Sequence, residues 1–546
     1  MRRDIPSINR LFLFLLLGFN ALIMSAVPAK RERCTLTLAD GSTIEATWMG
    51  DESMHFYLSD DGRYLQEDSQ GLAHFVEADV LQSRWKAKSL KRQAFREQRA
   101  ASRRRKAQGG MSGKKRGLVI LIQFPQTPFH FTNADFQRFF NEKGYRDNIN
   151  VGSVHDYFLD ASYGQFDFSF DVIGPVELEN PLSHYGDNNS NGDDQLVATM
   201  VAETIDKVDG DVDFSKYDWD GDGEVEQIFL IHSGYDEAQT RIRSDIWSHA
   251  WTLTEAKDEG DGNGPVTVDG VIIDSYACSS ELRGKRDYNL SGIGTACHEF
   301  THCFGLPDTY DTVGNSFGMY SWDLMDYGEY NGSGGTPAGF TSYERMFCGW
   351  LRPIELTDFV IVKDMPPLTS RPVAYILRNS RKEDEYYLLE NRQQESWDRY
   401  LGGHGLLILH VDYDSTAWAD NKVNTIRSHP RMTIIPADNN LYTFSLAGDP
   451  WPGTSENTEF TDYSTPAAKL FNKNAEGDLL MHHPITEINE STFGTISFVF
   501  DEDILPVPFV SPFATEGSAY DLQGRHVVNG KASGIIIKDG KKIIQR

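Results

Sequence analysis

Cysteine is scarce in this chain, five among 546 residues, and positive charge is outweighed, with 52 Lys+Arg against 80 Asp+Glu. The resulting net charge of −28 argues against a nucleic-acid binder, which needs clustered cations for phosphates, and favours solubility. Long apolar runs are missing beyond the first 24 residues, so no later segment has the length of a membrane span. Internal repeats and low-complexity arrays are absent too. What is present is ordinary globular material, 40% hydrophobic and 24% charged, long enough for two or three domains with substantial cores.

The start of the chain reads as export and processing signals. Arg2, Arg3 and Arg10 precede the apolar run Leu11 to Met24, and Ser25 to Ala29 offers small residues for cleavage, so residues 1–29 are expected to be a secretory signal peptide. Residues 30–80 alternate in short strands with turn signals such as Asp40-Gly41 and Asp61-Gly62, a small β-rich module. From Leu81 the composition turns basic, with a helical cast, and ends in Arg103-Arg104-Arg105-Lys106 and Lys114-Lys115-Arg116 around a Gly-rich stretch. Such segments are where proteases nick. Residues 30–116 therefore read as a propeptide, removed in the window 103–116. Residues 1–116 carry 21 Lys+Arg against 13 Asp+Glu, so a basic prosegment faces an acidic remainder and can dock on it electrostatically. Cys34 is the prosegment's thiol; a thiolate ligates zinc well, but no switch motif surrounds it. Without Cys34, Cys278, Cys297, Cys303 and Cys348 form an even set in an exported domain. Cys297 and Cys303 are six apart on a predicted helix and point from different faces, a poor pair.

The most informative stretch is His298-Glu299-x-x-His302-x-x-Gly305-x-x-Asp308. Four residues apart on a helix lie on one face, so both imidazoles can meet one metal ion. Glu299 falls beside them, where a carboxylate can take a proton from a metal-bound water. Gly305 can break the helix and turn the chain. That turn brings Asp308 back as third ligand, with Glu329 the alternative carboxylate further on. Two neutral nitrogens and one hard oxygen, with a position left open for water, suit Zn²⁺.

Downstream lie Gly318 to Gly328, with Met325 in a tight turn, and Thr336 to Trp350. With the strand and acidic loop upstream, these residues resemble the secreted immune inhibitor A-type metallopeptidases over roughly residues 117 to 500. The resemblance implies an α+β, metzincin-like zinc endopeptidase domain at 117–350, followed by a β-rich domain, with protein or peptide substrates. It also implies that Met325 packs under the metal without ligating it. Tyr327 stands where some metzincins keep a tyrosine able to steady the oxyanion, with core packing the plainer role.

The acidic loop is Asp218-Trp-Asp220-Gly-Asp222-Gly-Glu224-Val-Glu226. Oxygen donors at alternate positions with a Gly at the bend match a calcium loop, a Ca²⁺ site stapling the turn into the following strand. Phe229 stands where an EF-hand keeps its glutamate, and the next segment reads as a strand, so it is not an EF-hand. Gly117 to Phe124 is a continuous apolar strand, Val154 to Ala161 a helix, and Val271 to Tyr276 the candidate edge for an extended substrate. His249, His404 and His410 lack metal-ligand spacing and read as structural.

After Trp350 short strands alternate with turn residues, which predicts an all-β, sandwich-like domain over 351–501. The tail, 502–546, resembles C-terminal sorting tails of the type IX secretion route, which implies a partner in the secretion machinery; a plain terminal hairpin is the alternative. A competing function class is a calcium-stabilised adhesin carrying a dead peptidase domain, which the complete set of catalytic-type residues disfavours.

Overall fold

The computed structural model describes residues 25–52, 54–68, 70–81, 83, 111–189, 194–286, 288–312 and 316–501, and three short strands beyond them. Residues 1–24, most of the expected signal peptide, lie outside the described residues, as do the basic stretch 84–110 and most of the tail.

The first module is a meander. β1 (Ser25–Ala26) is followed by β2 (Arg33–Thr37), β3 (Thr43–Gly50), β4 (His55–Ser59), β5 (Tyr64–Glu67) and β6 (Ala73–Val76), and β2 to β6 pair in sequence order. Asp40-Gly41 and Asp61-Gly62 supply turns, with both glycines at positive φ. Its core of Leu36, Ala46, Trp48, Tyr57 and Leu65 is shared with Ala238 and Trp247 of the next domain.

The catalytic-type domain is built on β7 (Gly113–Gln123), β8 (Phe166–Glu177), β9 (Ile228–Tyr235), β10 (His249–Thr252), the hairpin β11 (Val266–Val268) and β12 (Val271–Ile273), then β13 (Ser275–Arg283) and β14 (Asn289–Leu290). The main sheet runs β1-β10-β13-β9-β7-β8. β8, β7, β9 and β13 are parallel, and β10 is antiparallel to β13. Two-fold alternation sorts the side chains into two layers. Val119, Leu121, Phe229, Ile231 and Ala277 face one core, with the helices Asn133–Asn141, Val154–Ala161 and Ile293–Cys303. Leu118, Ile120, Ile228, Leu230 and Cys278 face the other, with the helix Val197–Val208. A strand buried on both faces has no polar side to show, which is why Leu118 to Ile122 reads as an unbroken apolar run.

Two local expectations are corrected. β7 starts at Gly113, not Gly117, because Lys114, Lys115 and Arg116 extend the pairing with β8 from Asp167 to Ser169. Arg116 meets the Asp171 carboxylate, and Lys115 Nζ donates to the Trp219 carbonyl at 2.8 Å. The sheet edge is also elsewhere. Val271 to Tyr276 is divided between a hairpin and the interior strand β13, and β10 lies outside it, against β1. Ser25 and Ala26, which the sequence assigns to the signal peptide, pair there with Ala250 and His249.

Beyond Trp350, β15 (Ile354–Glu355), β17 (Ala374–Arg378), β18 (Glu385–Arg392), β19 (Gly405–Asp412) and β20 (Met432–Ile434) form one sheet. β16 (Val360–Met365), β22 (Ile496–Phe500) and β21 (Ile485–Glu490) form a second. Leu377, Leu389, Leu406 and Ile408 share a core with Val362, Ile488, Ile496 and Phe498 of that second sheet. The opposite face, with Ile376, Leu388, Leu407, Leu409 and Val411, joins the cluster that holds the helix Ile293–Cys303. This sheet is therefore covered on both sides and welds the C-terminal region to the catalytic-type domain. In the tail, β23 (Ala519–Asp521), β24 (Gly534–Lys538) and β25 (Lys541–Gln545) form an antiparallel sheet. No helix among the described residues is long and apolar enough to cross a membrane.

Candidate metal centre

The helix Ile293–Cys303 enters the core without a capping side chain of its own; Asn150 Oδ1 accepts from the Ile293 amide at 3.1 Å instead. Its N-terminus packs so closely that a Cβ on Gly294 would lie 2.0 Å from the Glu329 carbonyl oxygen. Phe300 anchors the buried face, stacked on Phe229 at 4.7 Å between centroids. Gly305 follows at φ +95°, the left-handed turn that only glycine adopts without strain, and returns the chain toward the helix.

That turn brings His298, His302 and Asp308 together. The two Nε2 atoms are 3.2 Å apart, and Asp308 Oδ1 lies 3.1 Å from His298 and 3.5 Å from His302. Each Nδ1 is 2.9 Å from a carbonyl oxygen, Leu324 for His298 and Leu306 for His302. A carbonyl only accepts, so each Nδ1 carries the proton and each Nε2 turns a lone pair or an added proton toward the others. Four ligand atoms around a zinc ion at about 2.0–2.1 Å are spaced at roughly 3.3 Å in a tetrahedron, so the three distances fit such an ion.

The electrostatics call for a cation. All three groups are buried, as is Glu299, and among the described residues neither Glu299 oxygen accepts a hydrogen bond. Burial pushes the Glu299 carboxyl well above its usual range; His298 opposes this, while Asp308 and Glu329 reinforce it. Burial depresses the His298 pKa, but the contact with Asp308 and the charges of Glu329, Asp308 and Glu299 outweigh it and raise the value to about 10. Positive charge is wanted at Nε2, and a divalent ion supplies it. Glu329, the alternative ligand, is buried by the helix and accepts from Thr295 Oγ1 at 3.1 Å; burial first, against the pull of His298, lifts it to about 8. Among the described residues it is not in the three-ligand cluster.

The floor is the turn Asp323 to Tyr327. Asp323 Oδ1 accepts from the Met325 amide at 2.7 Å, and the Met325 carbonyl accepts from the Thr309 amide at 2.8 Å, next to Asp308. Met325 is fully buried in the core beneath the site. Tyr327 points into the first module: its hydroxyl accepts from Arg31 Nε at 2.8 Å and donates to the Ala29 carbonyl at 3.0 Å.

Sequence reasoning missed Asn421. It lies in the C-terminal β-region, 113 positions from Asp308, yet its Oδ1 accepts from the Asp308 amide and its Nδ2 donates to Asp308 Oδ2, both at 2.6 Å. Asn424 adds a hydrogen bond to the Thr309 carbonyl at 2.6 Å. No spacing rule reaches across that separation; a lone polar run after a β-strand is the only local trace.

The acidic loop behaves differently. Asp218, Asp220 and Asp222 lie within 4.8 Å of one another, with the last two exposed. Asp218 accepts from the amides of Gly221 and Gly223, Asp220 from Asp222, and Asp222 from Glu224. Glu226 turns back onto the Trp219 amide at 2.7 Å, and neither it nor Glu224 belongs to the cluster. His249 is held between the Trp247 carbonyl and the Tyr276 hydroxyl, and His410 beside Glu385; His404 pairs with Glu490 at the surface. None of the five cysteines is in a disulfide, and Cys34 sits in the β2–β3 pairing with its Sγ toward the Ala46 carbonyl.

Residues 106–350 match the family of immune inhibitor A peptidases, M6 catalytic domain. The match holds the entire helix, the Gly305 turn and the Met325 turn. The chain is 23% identical over 457 residues to immune inhibitor A of Bacillus thuringiensis subsp. alesti, covering 71% of this chain and 58% of that protein. It is 25% identical over 276 residues to the pre-pro-metalloprotease PrtV of Vibrio cholerae, covering 42% and 29%. A putative secreted metallopeptidase of Arthroderma benhamiae is 25% identical over 236 residues, covering 37% and 32%. The chain thus spans less than two thirds of the length of these relatives. The comparisons support a metalloprotease.

Proposed function

We propose that this protein is a secreted zinc endopeptidase that hydrolyses peptide bonds of proteins, is made as a zymogen and is stabilised by calcium. One observation carries the reading: a buried Glu299, without a hydrogen-bond partner among the described residues, stands beside two imidazole Nε2 atoms and Asp308 inside the segment that matches the peptidase family. His298, His302 and Asp308 would hold the ion. When bound, Zn²⁺ acidifies a water and polarises the scissile carbonyl. Glu299 takes the proton from the attacking water and delivers it to the leaving amine. Tyr327, once freed of Arg31 and Ala29, donates to the developing oxyanion. Once Ser25 and Ala26 have left β10, an extended substrate pairs with that strand in their place.

Prosegment removal falls in the part of the window 103–116 that precedes the strand starting at Gly113. N-terminal sequencing of the active secreted form should read a start between residues 104 and 111; an active form starting near residue 30 would overturn the zymogen. Calcium at Asp218, Asp220 and Asp222 relieves carboxylate repulsion and fixes the entry to β9. The tail 502–546 serves as the address for the export machinery. The decisive experiment is Glu299→Ala, which should cut proteolysis by roughly 10²–10⁴ or more while zinc stays near one per chain. Retention of more than a few per cent of activity removes Glu299 from the mechanism.

A further inference from the structure

The floor of the metal centre is held from outside the segment that matches the peptidase family, which ends at residue 350. Just before that floor runs the short turn Tyr320–Trp322, and the Trp322 indole is fully buried. A buried indole N–H must find an acceptor somewhere in the fold. Here Nε1 donates to Asp449 Oδ2 at 2.9 Å, from 127 positions away. The Trp322 carbonyl is held from the same C-terminal β-region, accepting from Arg392 Nη1 at 3.3 Å. Arg392 is fixed in turn by Glu390 at 2.9 Å and by two bonds of 2.7 Å to Asp398. Four residues before Trp322, the Gly318 carbonyl accepts from Thr433 Oγ1 at 3.0 Å.

Asp449 is presented by a well-anchored piece of backbone. It follows the turn Leu446–Gly448; its amide donates to the Leu446 carbonyl at 3.2 Å, and its carbonyl accepts from the Ala437 amide at 2.9 Å. Two residues on, Trp451 and Leu406 of β19 exchange both backbone hydrogen bonds at 2.8 Å. The Asp449 side chain is fully buried, and among the described residues its Oδ1 has no hydrogen-bond partner. Burial lifts the carboxyl to about 8; the Trp322 hydrogen bond opposes this, and the charge of Asp438 adds to it. At neutral pH the group is therefore an uncharged acceptor. What it offers Trp322 is one oxygen in a fixed place.

What that oxygen secures lies two residues further along the chain. The Leu324 carbonyl is 2.9 Å from His298 Nδ1, and it sets the rotation of the imidazole that turns Nε2 toward Asp308. Between Trp322 and Leu324, Asp323 closes the turn: its Oδ1 accepts from the Met325 amide at 2.7 Å and its carbonyl from the Gly328 amide at 3.0 Å. A turn pinned at the Trp322 indole, at the Trp322 carbonyl and at the Asp323 cap cannot swing the Leu324 carbonyl away. We propose that Asp449 is a positioning residue of the metal centre: by accepting from the Trp322 indole it fixes the turn that aims the Leu324 carbonyl at His298. The inference rests on the zinc peptidase reading above. It puts a working part of the peptidase unit beyond the family match, in the C-terminal β-region. Groups that orient a metal-binding imidazole are worth ~10–100-fold in metal affinity. Asp449 acts through one such group, so the lower end of that range is expected.

The test uses the full chain in the inactive Glu299→Ala background, which prevents self-digestion. Zinc affinity is measured by competition with a chromophoric chelator, and the visible spectrum of the cobalt(II)-substituted protein reads the ligand geometry. Asp449→Leu removes the acceptor and Trp322→Phe the donor; each should weaken zinc about tenfold and alter the cobalt spectrum. Asp449→Asn keeps an oxygen for the indole and should stay within about threefold of the parent, with the parent's spectrum. Trp322→Phe combined with Asp449→Leu should lose little more than the worse single variant, because both substitutions remove one contact. Parental zinc affinity and cobalt spectrum in Asp449→Leu and Trp322→Phe, with only a lower melting temperature, would overturn the proposal and leave the contact a matter of stability. A loss in Asp449→Asn equal to that in Asp449→Leu would overturn it as well, since the carboxyl would then act by its charge. Failure of the parent itself to bind zinc would instead overturn the reading on which the proposal rests. Should Asp449→Leu misfold by far-UV circular dichroism, Trp322→Phe is read alone; a parental affinity and spectrum in it then sink the proposal.

Discussion

Among the described residues two places gather three metal-type ligands within 4.8 Å: His298, His302 and Asp308 in the interior, and Asp218, Asp220 and Asp222 on a surface turn. In sequence both follow a spacing rule. In the fold they differ in what surrounds the ligand atoms. The interior triad is packed, its imidazoles are oriented by the Leu324 and Leu306 carbonyls, its carboxylate is held by Asn421, and among the described residues the neighbouring Glu299 carboxylate accepts no hydrogen bond. The surface triad spends its oxygens on the amides of its own turn and faces water. A buried group left without partners asks for an ion with many kcal/mol behind it, whereas an exposed carboxylate is already solvated. Spacing nominates a site, and desolvation distinguishes a demanding one from a permissive one.

The largest effects should therefore come from the interior. His298→Ala and Asp308→Ala are expected to weaken zinc far beyond the ~10–100-fold typical of an outer partner, measured by chelator competition on the Glu299→Ala protein. Asp311→Ala, three residues along the same loop, should change it less than threefold. Equal, mild losses at Asp308 and Asp311 would move the third ligand elsewhere and erase the contrast between the two triads.

Next comes the support. Asn421→Ala removes both hydrogen bonds to Asp308 and should cost about 10–100-fold in zinc affinity. Asn421→Asp keeps the shape but faces Asp308 Oδ2 with a second acceptor, so it should do no better than Ala. If Asn421→Ala binds zinc as tightly as the parent, the C-terminal β-region merely covers the site.

The smallest effect belongs to the surface turn. Calcium at a hundredfold excess over Kd stabilises by about 2.7 kcal/mol, which raises the melting temperature by a few degrees in a domain of this size. The shift should appear in zinc-saturated Glu299→Ala protein and vanish in Asp220→Ala and Asp222→Ala, with zinc affinity untouched. A shift of the same size after both substitutions would show that the turn holds no functional ion.

Much of this was legible in residue order because the relevant physics is local. The 3.6-residue period puts His298, Glu299 and His302 in one neighbourhood, and Gly305 permits the turn to Asp308. The apolar run at Leu118 to Ile122 announces a strand buried on both faces. Strands such as Glu385–Arg392 and Gly405–Asp412 follow from β-rich runs between turns. Lys114 to Arg116 misled because a basic cluster looks the same whether it is a loose cleavage site or a strand end whose charges meet Asp171 and the Trp219 carbonyl. The edge strand was misplaced because short apolar segments carry no mark of which neighbour they pair with.

Residue order, then, determined that His298, Glu299, His302 and Asp308 come together and that Leu118 to Ile122 is buried, each a matter of short-range periodicity and turn chemistry. Tertiary structure alone decided that Asn421 grips Asp308 across 113 positions and that β10, rather than Val271 to Tyr276, lies toward the end of the sheet, where β1 pairs with it. Those are pairings between distant segments. They are selected by the burial and hydrogen bonding of the whole fold, and no local pattern encodes them.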